Sequence, residues 1–118
     1  MPQITGKAII RVNGREWRAE DGASLDVGGE KRNPKVGGGK VHGFNKETVE
    51  PKMECKMFHT RDDDLLAIGK IEDATVIFEC DTGDTYVLRE AFVLEPAKLE
   101  AKDGTVSVSF SAISCERM

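Results

Sequence analysis

Apolar and polar residues alternate near the start of the chain, which is typical of a β-strand that buries one face. Three apolar positions alternate with two cationic ones: Ala8, Ile10 and Val12 with Lys7 and Arg11. Asn13-Gly14 follows and supplies the two positive-φ residues of a type I′ turn. The hairpin that this turn predicts pairs Ile10 with Trp17 on the inner face and Arg11 with Glu16 as an outer charge pair.

Further segments predict an antiparallel sheet system. After a short strand at 24–27, the segment 49–57 alternates strictly, with Glu50, Lys52, Glu54 and Lys56 on its polar side. Strands are also expected over 74–80, 85–94 and 105–112. The strand 85–94 is apolar on both faces, which favours coverage by a neighbouring molecule. We expect an antiparallel β-sandwich or barrel formed by a single domain, residues 1–118.

One short helix is predicted to flank the sheets. Thr60-Arg61-Asp62-Asp63 has the composition of a helix cap, and Gly69 marks the end. Between them, Leu65, Leu66 and Ile68 form an apolar stripe. These signals predict a helix of about ten residues at most.

Residues 28–46 are rich in glycine and in cations. The segment contains six glycines, one proline and five Lys or Arg, against the single acid Glu30. We predict a long basic loop that is mobile in one copy and becomes ordered against the acidic surface of another.

Charge is divided unevenly along the chain. The first 46 residues contain nine Lys and Arg against five Asp and Glu, a net charge of +4, and the remainder has a net charge of −8. No apolar run approaches the roughly 20 residues that span a bilayer, and no signal-peptide core begins the chain. We expect a soluble protein that folds in the cytoplasm of the cell that makes it.

The motifs that would indicate catalysis or a cofactor are incomplete. Gly37-Gly38-Gly39-Lys40 lacks the earlier glycine of a phosphate loop and is followed by Val41 instead of a hydroxyl residue. Cys55 and His59 lie too far apart on a strand to share a metal ion. The consecutive aspartates at 62–64 do not have the alternate spacing of a calcium loop. We therefore expect no enzyme activity, metal or cofactor.

Two other readings are also weak. Cys55, Cys80 and Cys115 are odd in number and widely spaced, so we expect small buried side chains and not a disulfide framework. The chain has a sequence pI near 5.2, and its basic segment has no aromatic residue before Phe44. Specific nucleic-acid binding is therefore disfavoured.

Three segments resemble the tail tube proteins of contractile-tailed, Mu-like bacteriophages. The first is Ile4-Thr5-Gly6-Lys7-Ala8 with the Val12-Asn13-Gly14 turn. The second is Glu50-Pro51-Lys52-Met53-Glu54-Cys55 before the short helix, and the third is the ending 104–112. The resemblance covers nearly the whole chain in order.

The resemblance implies a structural virion protein that forms six-membered rings stacked into a hollow tube. Its partners would be other copies of itself, a surrounding sheath, and baseplate and tail terminator proteins at the ends. DNA would pass through the lumen without specific binding, and assembly would take place in the host cytoplasm. In that family the long loop early in the chain reaches a neighbouring subunit.

Candidate residues follow for two surfaces. The expected contact with a neighbour consists of Lys31, Arg32, Lys35, Val36, Lys40 and Val41. A conduit for DNA should not bind phosphates, so acidic side chains are expected on the lumen wall, with Glu50, Glu54 and Glu79 as candidates.

Two alternatives stay open at this point. One is the ring-forming tube protein of a bacterial contractile injection system, whose cargo is protein. The other is a monomeric β-sandwich that binds a ligand, which its size in solution would distinguish from both tube proteins.

Overall fold

The computed structural model describes all 118 residues, which form eleven strands and one helical turn. In chain order the elements are β1 (Ala8–Val12), β2 (Arg15–Trp17), β3 (Ser24–Asp26), β4 (Gly29–Gly37), β5 (Lys40–Val49), β6 (Lys52–Phe58), α1 (Leu65–Ile68), β7 (Ala74–Cys80), β8 (Thr85–Val93), β9 (Lys98–Glu100), β10 (Thr105–Ser111) and β11 (Ser114–Arg117). The expected mainly antiparallel β fold with one short helix is confirmed. No helix has the length and apolar character needed to cross a bilayer.

Nine strands form two facing sheets that share β8. The first sheet has the order β2-β1-β7-β8-β11, and the second has β3-β6-β10-β9, all antiparallel. The inner faces meet where the Trp17 and Phe110 rings approach to 5.6 Å between centroids. Sixteen buried residues, most of them from the two sheets, make one core cluster, which is the sandwich-like arrangement that the alternations predict.

Strand β8 bends from the first sheet into the second. Its early residues pair with β7 and β11, whereas Phe92 and Val93 pair with β10. The register with β7 shifts at Arg89 and Glu90, and Glu90 has a φ of 51°. The expectation that a neighbour must cover both apolar faces is largely wrong, because Val87, Leu88 and Ala91 are already buried in one chain.

The first hairpin has the predicted register. Ile10 pairs with Trp17, and Arg11 pairs with Glu16. The expected outer ion pair is different, however, because the Arg11 guanidinium lies 3.4 Å from the Glu79 carboxylate on β7. Sheet β1–β7 pairing therefore provides a diagonal partner that the local sequence could not indicate.

Residues 28–46 form no long loop, and this prediction is corrected. Strands β4 and β5 make a regular hairpin that pairs with no other strand. Gly38 and Gly39, with φ of 59° and 75°, occupy its turn, so two of the glycines that suggested a loop are turn residues. The expectation that this segment is mobile in one copy and becomes ordered against a neighbour concerns motion, and it stays a prediction.

The helix is shorter than expected and has a different cap. It comprises Leu65–Ile68, and the Asp64 side chain accepts a hydrogen bond from the Leu66 amide at 3.0 Å. Asp63 instead closes a separate turn by accepting from the Thr60 amide at 2.9 Å. Consecutive aspartates compete for backbone donors in this way, which delays the start of the helix.

The contact between the Trp17 and Phe110 rings, one from each sheet, leads to a prediction about stability. Phe110 is fully buried, so Phe110→Ala should lower the free energy of unfolding by about 3–5 kcal/mol. Ile113 is 70% exposed, and Ile113→Ala should change it by less than about 0.5 kcal/mol. Denaturant unfolding of both variants measures the difference. Equal losses would contradict the assignment of the core.

Asp63 generates a prediction about pH. Its side chain is 4% exposed and lies 3.7 Å from Arg15 and 3.6 Å from Arg18. The Thr60 amide hydrogen bond lowers its pKa, and the Thr60 hydroxyl and the two arginines add to this effect. The ionised group therefore stabilises the fold above its unfolded pKa of about 3.9, and that stabilisation is lost as the pH falls through the folded value.

Chemical denaturation from pH 7 to pH 2 of the wild type and Asp63→Asn tests this. The wild type should be more stable at neutral pH, and the difference should shrink as the pH falls below about 4. Asp62→Asn is the matched control, because Asp62 is exposed and forms no ion pair. A difference that is independent of pH would contradict the role given to the Asp63 carboxylate.

Candidate assembly surfaces

Both faces of the hairpin Gly29–Val49, called the arm from here on, are exposed to solvent. The nine residues of β4, in extended conformation, span about 30 Å. The arm is therefore about as long as the shortest dimension of the whole molecule, which is 28 Å. The radius of gyration is 17.2 Å, whereas a compact chain of this length has about 13.5 Å. The arm pairs with no strand of the body. Its projection explains why the radius of gyration exceeds that of a compact chain.

All six residues predicted to contact a neighbour lie on the arm and are exposed: Lys31, Arg32, Lys35, Val36, Lys40 and Val41. Alternation along β4 places Arg32 and Val36 on one face and Lys31 and Lys35 on the other. An extra residue on β5, His42, shifts the register so that Val36 pairs with Val41.

One face of the arm is apolar towards its tip. Pro34 pairs with Phe44, and Val36 pairs with Val41, so the four side chains form a continuous patch. Val36, Val41 and Phe44 are 68%, 69% and 56% exposed. Phe44 was missed as a contact residue, although a lone aromatic in a charged segment is a signal that could have identified it. Such a patch is unusual for a side that faces only water.

The cations of the arm are mostly without acidic partners in the same chain. Lys46 lies 3.4 Å from Glu30, and the Arg32 guanidinium stands 5.7 Å from the centre of the Phe44 ring. No ion pair is formed by Lys31, Arg32, Lys35 or Lys40. The arm therefore presents apolar surface together with unmatched positive charge.

The base of the arm is fixed by a close backbone approach at Gly28. A Cβ atom at this position would lie 2.6 Å from the Pro51 nitrogen and 2.8 Å from the Val49 carbonyl oxygen. Gly28 has a φ of 70°, so both its conformation and its lack of a side chain suit the contact. Nearby, Val27, Val49, Pro51 and Ile113 line an open cavity of about 450 Å³. The direction in which the arm leaves the body is set here.

The three lumen candidates do not lie on one surface. Glu54 projects from the outer face of the second sheet, and its carboxylate lies 2.9 Å from the Lys52 ammonium group. Glu79 projects from the outer face of the first sheet, where it pairs with Arg11. Glu50 lies beside the base of the arm. The three acids cannot therefore form a single wall within one subunit.

The outer face of the second sheet is polar apart from Phe58, which is 45% exposed, and its charge is close to neutral. Alternation and register give it three cations, three acids and a row of hydroxyl groups: Lys52, Lys56, Lys98, Asp26, Glu54, Glu100, Ser24, Ser107 and Ser109. The outer face of the first sheet differs, because Ile9, Ile77 and Val87 lie on it. The second sheet is thus the more hydrophilic of the two.

The cysteines are free, and Cys55 lies in the core. Burial raises the pKa of the Cys55 thiol to about 12, which keeps it protonated and unreactive at neutral pH. The structure contains no group of three His, Cys, Asp or Glu side chains that could hold a metal ion.

A second concave surface lies between α1 and the first hairpin and is called the helix groove. It has a volume of about 370 Å³. Its apolar residues are Val12, Trp17, Met57, Ala67, Ile68 and Ile71, and its charged residues are Arg15, Asp62, Asp63 and Asp64. Asp63 is held by Arg15 and Arg18, whereas Asp62 and Asp64 form no ion pair. Sequence reasoning missed this groove because its residues come from four separate segments.

Two solved structures share the fold. Hcp1 from Flavobacterium johnsoniae matches with a TM-score of 0.59 at 12% sequence identity, over 94% of each chain. A chain in the baseplate of the anti-feeding prophage, solved by electron cryo-microscopy, matches with a TM-score of 0.57 at 13% identity, over 100% of this chain and 96% of that one. At these identities the likeness concerns the fold alone.

Sequence similarity goes further and covers almost the whole chain. The Mu-like prophage FluMu tail tube protein of Haemophilus influenzae is 37% identical over 116 residues, which is 98% of this chain and 97% of the relative. The tail tube protein of Escherichia phage Mu is 34% identical over 116 residues, covering 98% and 96%. The family model for phage tail tube proteins matches residues 1–117. The chain belongs to the phage tail tube protein family.

Proposed function

We propose that this protein is a structural, non-enzymatic subunit that polymerises as stacked six-membered rings into the inner tube of a contractile phage tail. The observation that carries the proposal is the arm. It projects from the sandwich, pairs with none of its strands, and exposes apolar and cationic side chains that a single chain leaves unmatched. A second copy can cover this surface.

Energetics support assembly through the arm. A two-stranded hairpin with no third strand or core is marginally stable in water. Burial of Val36, Val41 and Phe44 against a neighbour would stabilise it by roughly 25 cal/mol for each Å² of apolar surface removed from water. Lys31, Arg32, Lys35 and Lys40 would add screened ion pairs of about 0–1 kcal/mol each.

The remaining partners follow from a place in a phage tail. A sheath would surround the tube, and baseplate and terminator proteins would close its ends. The subunits would assemble in the host cytoplasm and function in the virion. These proposals rest on the two tail tube relatives, one of a phage and one of a Mu-like prophage.

The lumen is proposed to be lined by the outer face of the second sheet, which includes Glu54 but neither Glu50 nor Glu79. This face combines small hydroxyl side chains with balanced charge. A wall without net positive charge gives DNA phosphates no counter-charge to bind, so the genome would pass without arrest.

The bacterial injection-system alternative has support from the fold but less from sequence. Its support is the Hcp1 match at 12% identity, whereas the phage and prophage relatives are 34–37% identical. The ligand-binding monomer leaves the arm without a role. We therefore favour the phage tube.

The arm generates a test of assembly. Purified protein at high concentration should form rings or tubes in negative-stain micrographs. A variant in which residues 31–46 are replaced by a short Gly-Ser turn should stay folded, because the arm contributes nothing to the core cluster. It should form neither rings nor tubes. A wild-type protein that is strictly monomeric by light scattering, at millimolar concentration and in low and high salt, would contradict the proposed function.

Gly28 generates a second test, directed at the base of the arm. Gly28→Ala introduces a clash with the backbone of 49–51, which costs about 1–3 kcal/mol. Gly104→Ala is the matched control, since it lies outside the arm, its φ of 66° resembles the 70° of Gly28, and nothing lies within 4 Å of the added Cβ.

Both variants lose the conformational freedom of glycine, but only Gly28→Ala should redirect or loosen the arm. Its critical concentration for tube formation should exceed that of Gly104→Ala by roughly tenfold, as measured by sedimentation. Equal critical concentrations would exclude the proposed role of the Gly28 contact.

A further inference from the structure

We infer that the helix groove of one copy receives the tip of the arm from a second copy in a head-to-tail contact. This inference rests on the proposed function and identifies the receiving surface. The tip presents the apolar patch of Pro34, Val36, Val41 and Phe44. The groove offers an apolar floor that includes Trp17, at an indentation of about 370 Å³.

Charge complementarity distinguishes this groove from the other concave surfaces. The segment 60–73 carries two cations, Arg61 and Lys70, against five acids, a net charge of −3. Four of those acids form no ion pair within the chain, and two of the four, Asp62 and Asp64, line the groove. The groove therefore offers two unpaired carboxylates to the cations of the arm.

The cavity at the base of the arm is the less suitable receptor. It is larger, about 450 Å³, but Glu50 is its only charged residue. A basic tip would therefore leave its cations unmatched there. Two cavities beside Glu20 and Asp21 are acidic but contain few apolar residues, so they would not cover the patch.

The positions of arm and groove suit a repeating contact. Pro51 lines the cavity at the arm's base, and Met57 lines the helix groove. Both belong to the extended segment at β6, so about 20 Å of strand separates them. A protruding element near one end of β6 and a receptor near the other make a heterologous interface, which generates rings or filaments when it is repeated.

Photo-crosslinking in assembled tubes tests the inference. p-Benzoylphenylalanine would replace Val36, and tubes would be assembled from a mixture of ¹⁴N-labelled and ¹⁵N-labelled protein. Mass spectrometry should find mixed-isotope adducts between the arm and residues 12–17 or 57–71. Tubes whose adducts lie elsewhere would overturn the inference and leave the proposed function intact. Failure of the unsubstituted protein to assemble would overturn both.

Charge exchange gives an independent readout. Lys40→Asp and Asp62→Lys should each raise the critical concentration for tubes by about fivefold, the effect of losing one exposed ion pair. The double variant should return it towards the wild-type value. Glu20→Lys, which reverses an exposed acid outside the groove, should not rescue Lys40→Asp. Equal rescue by Glu20→Lys, or none by Asp62→Lys, would overturn the contact.

Discussion

The arm is a hairpin without a core, and the functional account depends on that fact. Its two strands pair only with each other, and every side chain from Glu30 to Thr48 except Asn33 is exposed. A polypeptide gains little by holding valines and a phenylalanine in water. The proposed contact with another copy would make the arrangement favourable, because it would remove those side chains from water.

The body of the protein has the opposite character. Its two sheets bury a core without help from a neighbour, and β8 belongs to both because it bends at Arg89 and Glu90. The sandwich and the arm therefore have different proposed roles. In the proposed tube, the sandwich would form the wall and the projecting hairpin would link subunits, so assembly would require no refolding of the body.

The sequence predicts the body better than it predicts the surfaces that are proposed to bind another copy. Strict alternation places Met53, Cys55 and Met57 in the core, because one face of β6 is buried and the other is exposed to solvent. Both faces of the arm are exposed to solvent, so its strands have no alternation of apolar and polar residues. Their sequence therefore predicts a loop. The Gly-Gly turn between Val36 and Val41 was the remaining hairpin signal. The helix groove, the opposite faces of Glu54 and Glu79, and the Arg11–Glu79 pair depend on long-range pairing that no local pattern contains.

The central claim is that the arm of one subunit is bound by another subunit. Electron cryo-microscopy of the assembled protein tests it most directly, by helical reconstruction at side-chain resolution. The account predicts continuous density for residues 31–46 packed on a second copy, with Phe44 buried between them. Density that shows the arm free in solvent, or folded back on its own sandwich, would contradict it.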